Sequence, residues 1–232
     1  MQQADHSETS HSRQFAEHEL VFMMGEELKK PLTAIKLLAE DSTEKSRTIQ
    51  LEARKALRTV DNMLLNQQLS ADQTSLDFGP VHVGSTLTQV ATDLQPLSIE
   101  HGCETEVFIQ SGISAVDSQP VALKSAIESL WQAMLGMTER PSPLTWHIRR
   151  SPQGIRVLVV NNSVDLSKVS LRKSGSVGES RQPFAGIAGP ATDLVTAQSL
   201  FEKLGAQLKK VTIEGQQGLS VTLPASAQLR LV

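Results

Sequence analysis

Residues 22–39 read FMMGEELKKPLTAIKLLA, a stretch in which apolar residues recur at helical spacing although a proline stands at position 31. The apolar positions on this side extend beyond the quoted stretch: Phe15, Phe22, Leu28, Leu32, Ile35 and Leu38. Such a stripe predicts an amphipathic helix from about residue 10 to residue 39. At about 1.5 Å per residue this helix is too long for a small domain to cover unless other helices lie beside it.

A second helix is predicted after EDSTEK (40–45), where Ser42 or Thr43 is suited to cap its first turn. Its apolar residues form a heptad-like seam of Ile49, Ala53, Ala56, Val60 and Met63, flanked by Leu57 and Leu64. The two helices are expected to form an antiparallel hairpin over residues 12–70. A lone hairpin leaves one side of each stripe uncovered, so the pattern predicts a homodimer that forms a four-helix bundle.

The sequence changes character after the hairpin. Residues 1–11 are expected to be a disordered tail, and the polar residues 71–79 a linker. Residues 80–232 predict an α/β sandwich, so the fold class is α+β with helices on one face of a mostly antiparallel sheet. The predicted elements are strands at 80–83, 104–110, 144–150, 155–161, 209–214 and 219–223, and helices at 84–101, at 119–138 and ending at Leu204 with Gly205 as C-cap.

Composition excludes several classes of function. The chain has 232 residues and a formal net charge of −3, with its cations scattered, which argues against a nucleic-acid partner. No apolar run is long enough to span a membrane and the N-terminus is polar, so a cytoplasmic protein is expected. A single cysteine, Cys103, and six histidines without ligand spacing predict no metal site.

The order of these elements resembles the catalytic core of the sensor histidine kinases of two-component systems. In that family the first helix carries a phosphoacceptor box, roughly S-H-E-L-x-x-P-L-T-x-I, and residues 25–35 read GEELKKPLTAI. The resemblance spans about residues 12–224 and accounts for Pro31, because the family's helix carries a proline five residues after the histidine. It implies a dimeric helical hairpin followed by an ATPase-like sandwich.

The same resemblance implies that the phosphoacceptor chemistry is lost. Glu26 stands in place of the histidine, whose imidazole nitrogen must attack the γ-phosphoryl group. Glu27 occupies the position of the adjacent acid, and Lys30 that of the Thr or Asn that orients water for phosphatase activity. We therefore expect no catalytic residue on this helix.

The nucleotide-binding motifs are also expected to be degenerate. The family's two asparagines correspond either to Glu128 and Gln132 or to Ser129 and Ala133. Its D-x-G-x-G turn corresponds to residues 161–165, which places Asn161 at the adenine-binding aspartate and Ser163 and Asp165 at the two glycines. Its G-x-G-x-G loop corresponds to residues 189–193, which keeps Gly189 but has Ala191 and Asp193 in place of the other glycines. ATP and Mg²⁺ binding are therefore expected to be absent.

These features predict a non-catalytic signalling protein that docks a response-regulator receiver domain or a partner histidine kinase. The residues expected to contact the partner surround the former phosphoacceptor position: Glu26, Glu27, Leu28, Lys30 and Leu32. The alternatives are that these glutamates form a plain solvated face, that the chain is a phosphotransferase using His18 as acceptor, or that it is an anti-sigma-like binder using only the sandwich. Without a nucleotide, residues 170–186 at the place of the family's ATP lid are expected to be disordered, and Trp131 and Trp146 are expected in the core.

Overall fold

A computed structural model describes residues 77–167, 169–171 and 190–226, and of Pro190 and Ala191 only the backbone. Residues described singly in the N-terminal part are 27, 28, 30, 31, 33–35, 49, 56, 58, 61, 62, 65, 66 and 69. The chain divides into two compact units, one of residues 1–67 and 173–188 and the other of residues 68–172 and 189–232. The predicted tail, the break at 40–45, His18 and most of the linker lie outside the described residues.

Every described residue of the two predicted N-terminal helices is helical, including Pro31, which is buried. Ala56 is buried, as the predicted seam requires, but the seam prediction missed two buried polar residues, Asn62 and Asn66. The Asn66 side-chain amide donates to the backbone carbonyl of Asn62 at 3.1 Å, which satisfies part of its hydrogen-bonding capacity inside the helix. Pairing of the two helices and dimerisation stay predictions.

The sandwich begins with strand β1 (Gly79–Val81), helix α1 (Val83–Glu100), strands β2 (Thr105–Ile109) and β3 (Val116–Ser118), and helix α2 (Pro120–Gly136). α2 starts sharply because Pro120 occupies its first turn and the Gln119 side chain accepts a hydrogen bond from the backbone N–H of Ala122. Strands β4 (Leu144–Ser151) and β5 (Gly154–Asn161) follow, then α3 (Pro190–Lys203), β6 (Leu208–Ile213) and β7 (Gln216–Leu223).

The main sheet has five strands in the order β2-β4-β5-β7-β6. β2 runs parallel to β4, and the other neighbouring pairs are antiparallel. β1 and β3 form a separate two-stranded antiparallel sheet, to which Ala225 adds an isolated bridge at Val116. The mixed, mostly antiparallel sheet with helices beside it confirms the predicted α/β sandwich.

The core lies between one face of this sheet and the helices. The β4 residues Leu144, Trp146 and Ile148 point to this face and are fully buried. Trp131 of α2 stacks on Trp146 with ring centroids 5.0 Å apart, and its indole N–H donates to the Ser98 hydroxyl of α1 at 3.0 Å. Both tryptophans are therefore core residues, as predicted.

The other face of the sheet, here called the second face, carries the alternate residues of the same strands. On β4 these are Thr145, His147 and Arg149, and the pairing places Phe108 of β2 opposite His147 and Arg156 of β5 opposite Arg149. β5 is a central strand and buries residues on both faces, including Leu158 on the second face.

The sequence pattern located most elements within three residues but misplaced one hairpin. The predicted strands 209–214 and 219–223 leave residues 215–218 as their connection, whereas the turn is Glu214-Gly215 and β7 already starts at Gln216. Both turn residues have positive φ, 51° and 83°, which fits a two-residue hairpin turn of type I′. Strand β3 was not predicted. The predicted C-cap is confirmed, since Gly205 has a φ of 74° just beyond α3.

Candidate functional site

The candidate site is the turn of residues 161–165, which follows strand β5 and is here called the Asn161 turn. It begins where β5 ends, and Asn161 is buried, with 1% of its surface exposed. By resemblance to the D-x-G-x-G turn of the sensor histidine kinases, Asn161 stands at the position of the adenine-binding aspartate. The hydrogen bonds of Asn161 therefore determine which of its polar atoms remain available to a ligand.

The amide hydrogens of Asn161 are both engaged within the chain. Its Nδ2 donates to the backbone carbonyls of Ser142 and Pro143, each at 3.2 Å. Its Oδ1 accepts from the backbone N–H of Ser163 at 2.7 Å. An asparagine side chain has two donor hydrogens and two acceptor positions, so little capacity is left for a ligand.

The hydroxyl of Ser163 faces the remaining acceptor position of Asn161. It lies 3.0 Å from Oδ1 and 2.7 Å from the backbone carbonyl of Arg140, and its single hydrogen is shared between the two. The residue that replaces the first glycine of the turn thus ties it to the connection between α2 and β4. That connection is joined to the turn again by the backbone N–H of Glu139, which donates to the Ser163 carbonyl at 3.2 Å.

The following residues are fixed to the opposite side, against β6 and β7. The backbone N–H of Leu166 donates to the Gln217 side chain at 2.6 Å, and the Leu166 carbonyl accepts from Nζ of Lys210 at 2.6 Å. Asp165 accepts from the backbone N–H of Ser167 at 2.8 Å, which closes a local turn. The residues after β5 are therefore held from both sides by side chains of this chain.

On α2 the structure separates the two possible registers of the asparagine pair. Ser129 and Ala133 are buried in the core, whereas Glu128 and Gln132 are only partly buried. The Nε2 atom of Gln132 is buried without a hydrogen-bond partner in the part of the chain that the structure describes. Of the two registers, only Glu128 and Gln132 retain access to a ligand.

Glu128 belongs to a small charge network on the outer side of α1 and α2. Lys124 donates to Asp93 at 2.9 Å and lies 3.6 Å from Glu128. The hydrogen bond to Asp93 raises the pKa of Lys124, and the charge of Glu128 adds to it. Lys124 is positive at neutral pH and offsets part of the carboxylate charge that would face a metal ion or a phosphate.

The predicted partner-contacting residues lie on the N-terminal helix, and the structure describes three of them. Nζ of Lys30 donates to Oε1 of Glu27 at 3.0 Å, a pairing that one helical turn allows. Lys30 is exposed, and Glu27 and Leu28 are half-buried. Glu26 and Leu32 lie outside the described residues.

Of the predicted phosphate loop, Gly189 is outside the described residues and the side chain of Ala191 is not described. Asp193 lies in the first turn of α3, where a carboxylate is favoured by the partial positive charge of the helix N-terminus. This gives Asp193 a structural role that its alignment with a phosphate-binding glycine did not indicate.

Sequence reasoning missed the residues that hold the Asn161 turn: Ser142, Gln217 and Lys210. Their backbone and side-chain partners are distant in sequence, and no spacing rule points to them. The serine at position 163 was the one available signal, since a hydroxyl in place of a turn glycine often binds nearby backbone groups.

The fold of the sandwich is similar to that of histidine kinase ATPase domains. A solved structure of histidine kinase ThkA in complex with response regulator protein TrrA superposes with a TM-score of 0.60 at 14% identity, over 99% of this chain and 69% of that chain. Histidine kinase AdeS of Acinetobacter baumannii superposes with a TM-score of 0.59 at 9% identity, over 86% of this chain and 98% of that chain. The catalytic domain of ThkA alone gives 0.51 at 10% identity, over 65% of this chain and 98% of that domain.

At these identities the likeness establishes a histidine-kinase-like fold and leaves the chemistry to be argued from the residues. No protein-family profile matches the chain, and no curated protein matches it in sequence. Among the described residues, no group of His, Cys, Asp or Glu side chains is arranged to hold a metal ion, and no helix is long and apolar enough to cross a membrane.

Proposed function

We propose that the chain is a histidine-kinase-like signalling protein without kinase activity, which forms a homodimer in the cytoplasm and docks a response-regulator receiver domain or a partner kinase. The observation that carries this proposal is the hydrogen bonding of Asn161. Both amide hydrogens and the acceptor face of this side chain are engaged with Ser142, Pro143 and Ser163. An adenine would have to displace one of these partners, and a buried group that loses its partner costs about 1–3 kcal/mol.

The residues of α2 at the expected Mg²⁺-binding positions also support the loss of kinase activity. A histidine kinase holds Mg²⁺ and phosphate with two asparagines, and the only accessible register on α2 offers Glu128 and Gln132. The Glu128 carboxylate lies 3.6 Å from the ammonium group of Lys124, so a metal ion would have to compete with this cation for it. The proposal therefore includes no ATP and no Mg²⁺ as cofactors.

The helical segment supports docking without phosphoryl transfer. A carboxylate at position 26 does not form the phosphoramidate, and Glu27 and Lys30 form an ion pair with each other. Docking requires shape and contact residues, not a nucleophile. The ThkA structure with TrrA is an example of a response regulator bound to a protein of this fold.

Two measurements on the full-length chain test the loss of ATP chemistry. Calorimetric titration with Mg-ATP is expected to give no heat of binding in the sub-millimolar range. Incubation with γ-labelled ATP is expected to leave no acid-labile label on the chain. Either tight binding or retained label overturns the non-catalytic proposal.

Docking is tested with purified receiver domains from the same genome. Lys30→Glu and Leu28→Glu are expected to weaken the binding of a receiver that the native chain captures, while Gln95→Glu, an exposed position on α1, leaves it unchanged. If a phosphorylated receiver instead loses its label to the native chain and not to His18→Ala, the chain is a phosphotransferase and the proposal fails.

A further inference from the structure

The second face of the sheet carries an unusual group of side chains where β2, β4 and β5 meet. Phe108 of β2 lies opposite His147 of β4, and two residues further along β4, Arg149 lies opposite Arg156 of β5. These four residues are here called the arginine corner. None of them belongs to the Asn161 turn or to the helical segment.

The two arginines of this corner violate a rule of sheet stability. Like charges directly opposite each other on neighbouring strands are destabilising. Neither Arg149 nor Arg156 forms an ion pair with a carboxylate of the described residues, and the nearest polar contact of Arg149 is Nδ1 of His147 at 3.5 Å. A local rule that is broken without compensation is expected at functional sites.

Phe108 adds an apolar surface beside the two guanidinium groups. Its side chain is 52% exposed and stacks on the His147 ring with centroids 5.2 Å apart and an interplanar angle of 17°. Burial lowers the pKa of His147, with a further contribution from Arg149, so the ring is neutral at pH 7 and stacks as an aromatic. Phenylalanine and arginine are both enriched at the cores of protein interfaces relative to the rest of the surface.

We infer that the arginine corner docks an acidic segment of a partner protein, whose carboxylates pair with Arg149 and Arg156 and whose apolar side chain packs on Phe108. The positive charge of the corner favours an acidic partner, because guanidinium groups bind carboxylates through paired, charge-assisted hydrogen bonds. A counter-ion supplied by the partner removes the repulsion between the two arginines.

Acidic groups around the corner favour a protein over a nucleic acid. Glu106 lies on the same face of β2, where the Thr145 hydroxyl donates to it at 3.4 Å, and the charge of Glu214 acts on His147. A nucleic-acid strand carries a phosphate at every nucleotide and would have to pass these carboxylates, whereas a short acidic segment need only reach the arginines.

This inference stands apart from the proposed function, because the corner lies on the sandwich and the proposed receiver contacts lie on the helical segment. Variants at Lys30 and Leu28 test the helical surface, and variants at Arg149 and Arg156 test the corner. Each surface can therefore fail without the other.

The test uses a fluorescein-labelled peptide of alternating glutamate and leucine, the same peptide with lysine for glutamate, and a single-stranded oligo-dT. Fluorescence anisotropy with the full-length chain is expected to show binding of the glutamate peptide only. The double variant Arg149→Glu/Arg156→Glu is expected to weaken this binding by about tenfold or more. Arg140→Glu, an exposed arginine outside the corner, is the matched control and is expected to leave the affinity unchanged.

A second variant separates binding from folding. Arg156→Glu places a carboxylate opposite Arg149, and an opposite-charge pair stabilises the sheet, so its melting temperature is expected to equal or exceed that of the native chain while its affinity for the glutamate peptide falls. The inference is overturned if the native chain does not bind the glutamate peptide, or if Arg140→Glu weakens binding as much as the corner variants. Oligo-dT binding that depends on Arg149 and Arg156 overturns it in favour of a nucleic acid.

Discussion

Oδ1 of Asn161 accepts a hydrogen bond from the backbone N–H of Ser163 at 2.7 Å, so the turn after β5 is closed by its own residues. Nδ2 of the same side chain donates to the backbone carbonyls of Ser142 and Pro143. An aspartate supplies no donor, and one of its oxygens would face these two carbonyls. Asn161 stands where the histidine kinase motif has an aspartate, and the hydrogen bonds of this turn require the asparagine.

Asn161→Asp, which introduces the acid of the histidine kinase motif, is expected to lower the free energy of unfolding by about 1–3 kcal/mol, because the buried side chain at position 161 loses both hydrogen bonds that its amide donates. Urea denaturation measures this loss. Asn162→Asp, at the exposed neighbouring position, is expected to change stability little. A variant at position 161 as stable as the native chain, or one that gains ATP binding, would contradict the proposed role of Asn161.

Ser98 and Ser118 form a matched pair, since both are buried but only Ser98 has a partner in the described structure. Ser98→Ala removes the acceptor of the Trp131 indole N–H and is expected to cost about 1–3 kcal/mol. The Ser118 hydroxyl is buried without a hydrogen-bond partner among the described residues, so Ser118→Ala is expected to be neutral or slightly stabilising. Thermal denaturation of both variants checks the prediction, and equal losses would refute it.

Gly154 and Gly205 both have positive φ but differ in their surroundings. A Cβ at Gly205 meets nothing within 4 Å, so Gly205→Ala is expected to cost only the left-handed backbone strain of about 1–2 kcal/mol. At Gly154 a Cβ also collides with the backbone carbonyl oxygen of Leu223, and the expected loss is about 3 kcal/mol or more. Chemical denaturation ranks the two variants, and a reversed order would show that β5 and β7 adjust freely.

His147 makes the stability of the sandwich depend on pH. Burial, and then Arg149, lower its pKa below 6.5, so the folded state disfavours the charged ring. Its contribution to stability is therefore present above pH 6.5 and is lost as the pH falls through the folded-state pKa.

Arg149→Gln removes the second of these causes, so the pKa of His147 is expected to rise. An NMR titration of the imidazole measures the shift, with Arg140→Gln as the control that leaves it unchanged. A pKa that does not move in Arg149→Gln would show that Arg149 does not contribute to it.

The sandwich could be predicted from the sequence because its strands and helices carry clear apolar periodicity, as in the buried residues Leu144, Trp146 and Ile148 of β4. The failures occurred where that signal is weak. Strand β3 has three residues, of which only Val116 is apolar, so it carries no strand pattern. Glu214 adopts a positive φ that sequence preferences assign to glycine or asparagine.

The candidate site was located by resemblance, but its geometry could not be read from the sequence. Asn161 donates to backbone carbonyls that are 18 and 19 residues away. Since every residue type has a backbone carbonyl, the sequence does not show which ones accept these hydrogen bonds. The like-charged pair Arg149 and Arg156 was equally invisible, because it depends on the register between β4 and β5.

The stacked tryptophans also determine what spectroscopy can see. The chain has two tryptophans and no tyrosine, and both indoles lie in the sandwich core. Tryptophan emission therefore follows the unfolding of the sandwich alone, while the amide circular dichroism signal also includes the helical segment. If the two signals give different denaturation midpoints, the helical segment unfolds as a separate cooperative unit, and its stability can be measured without any added label.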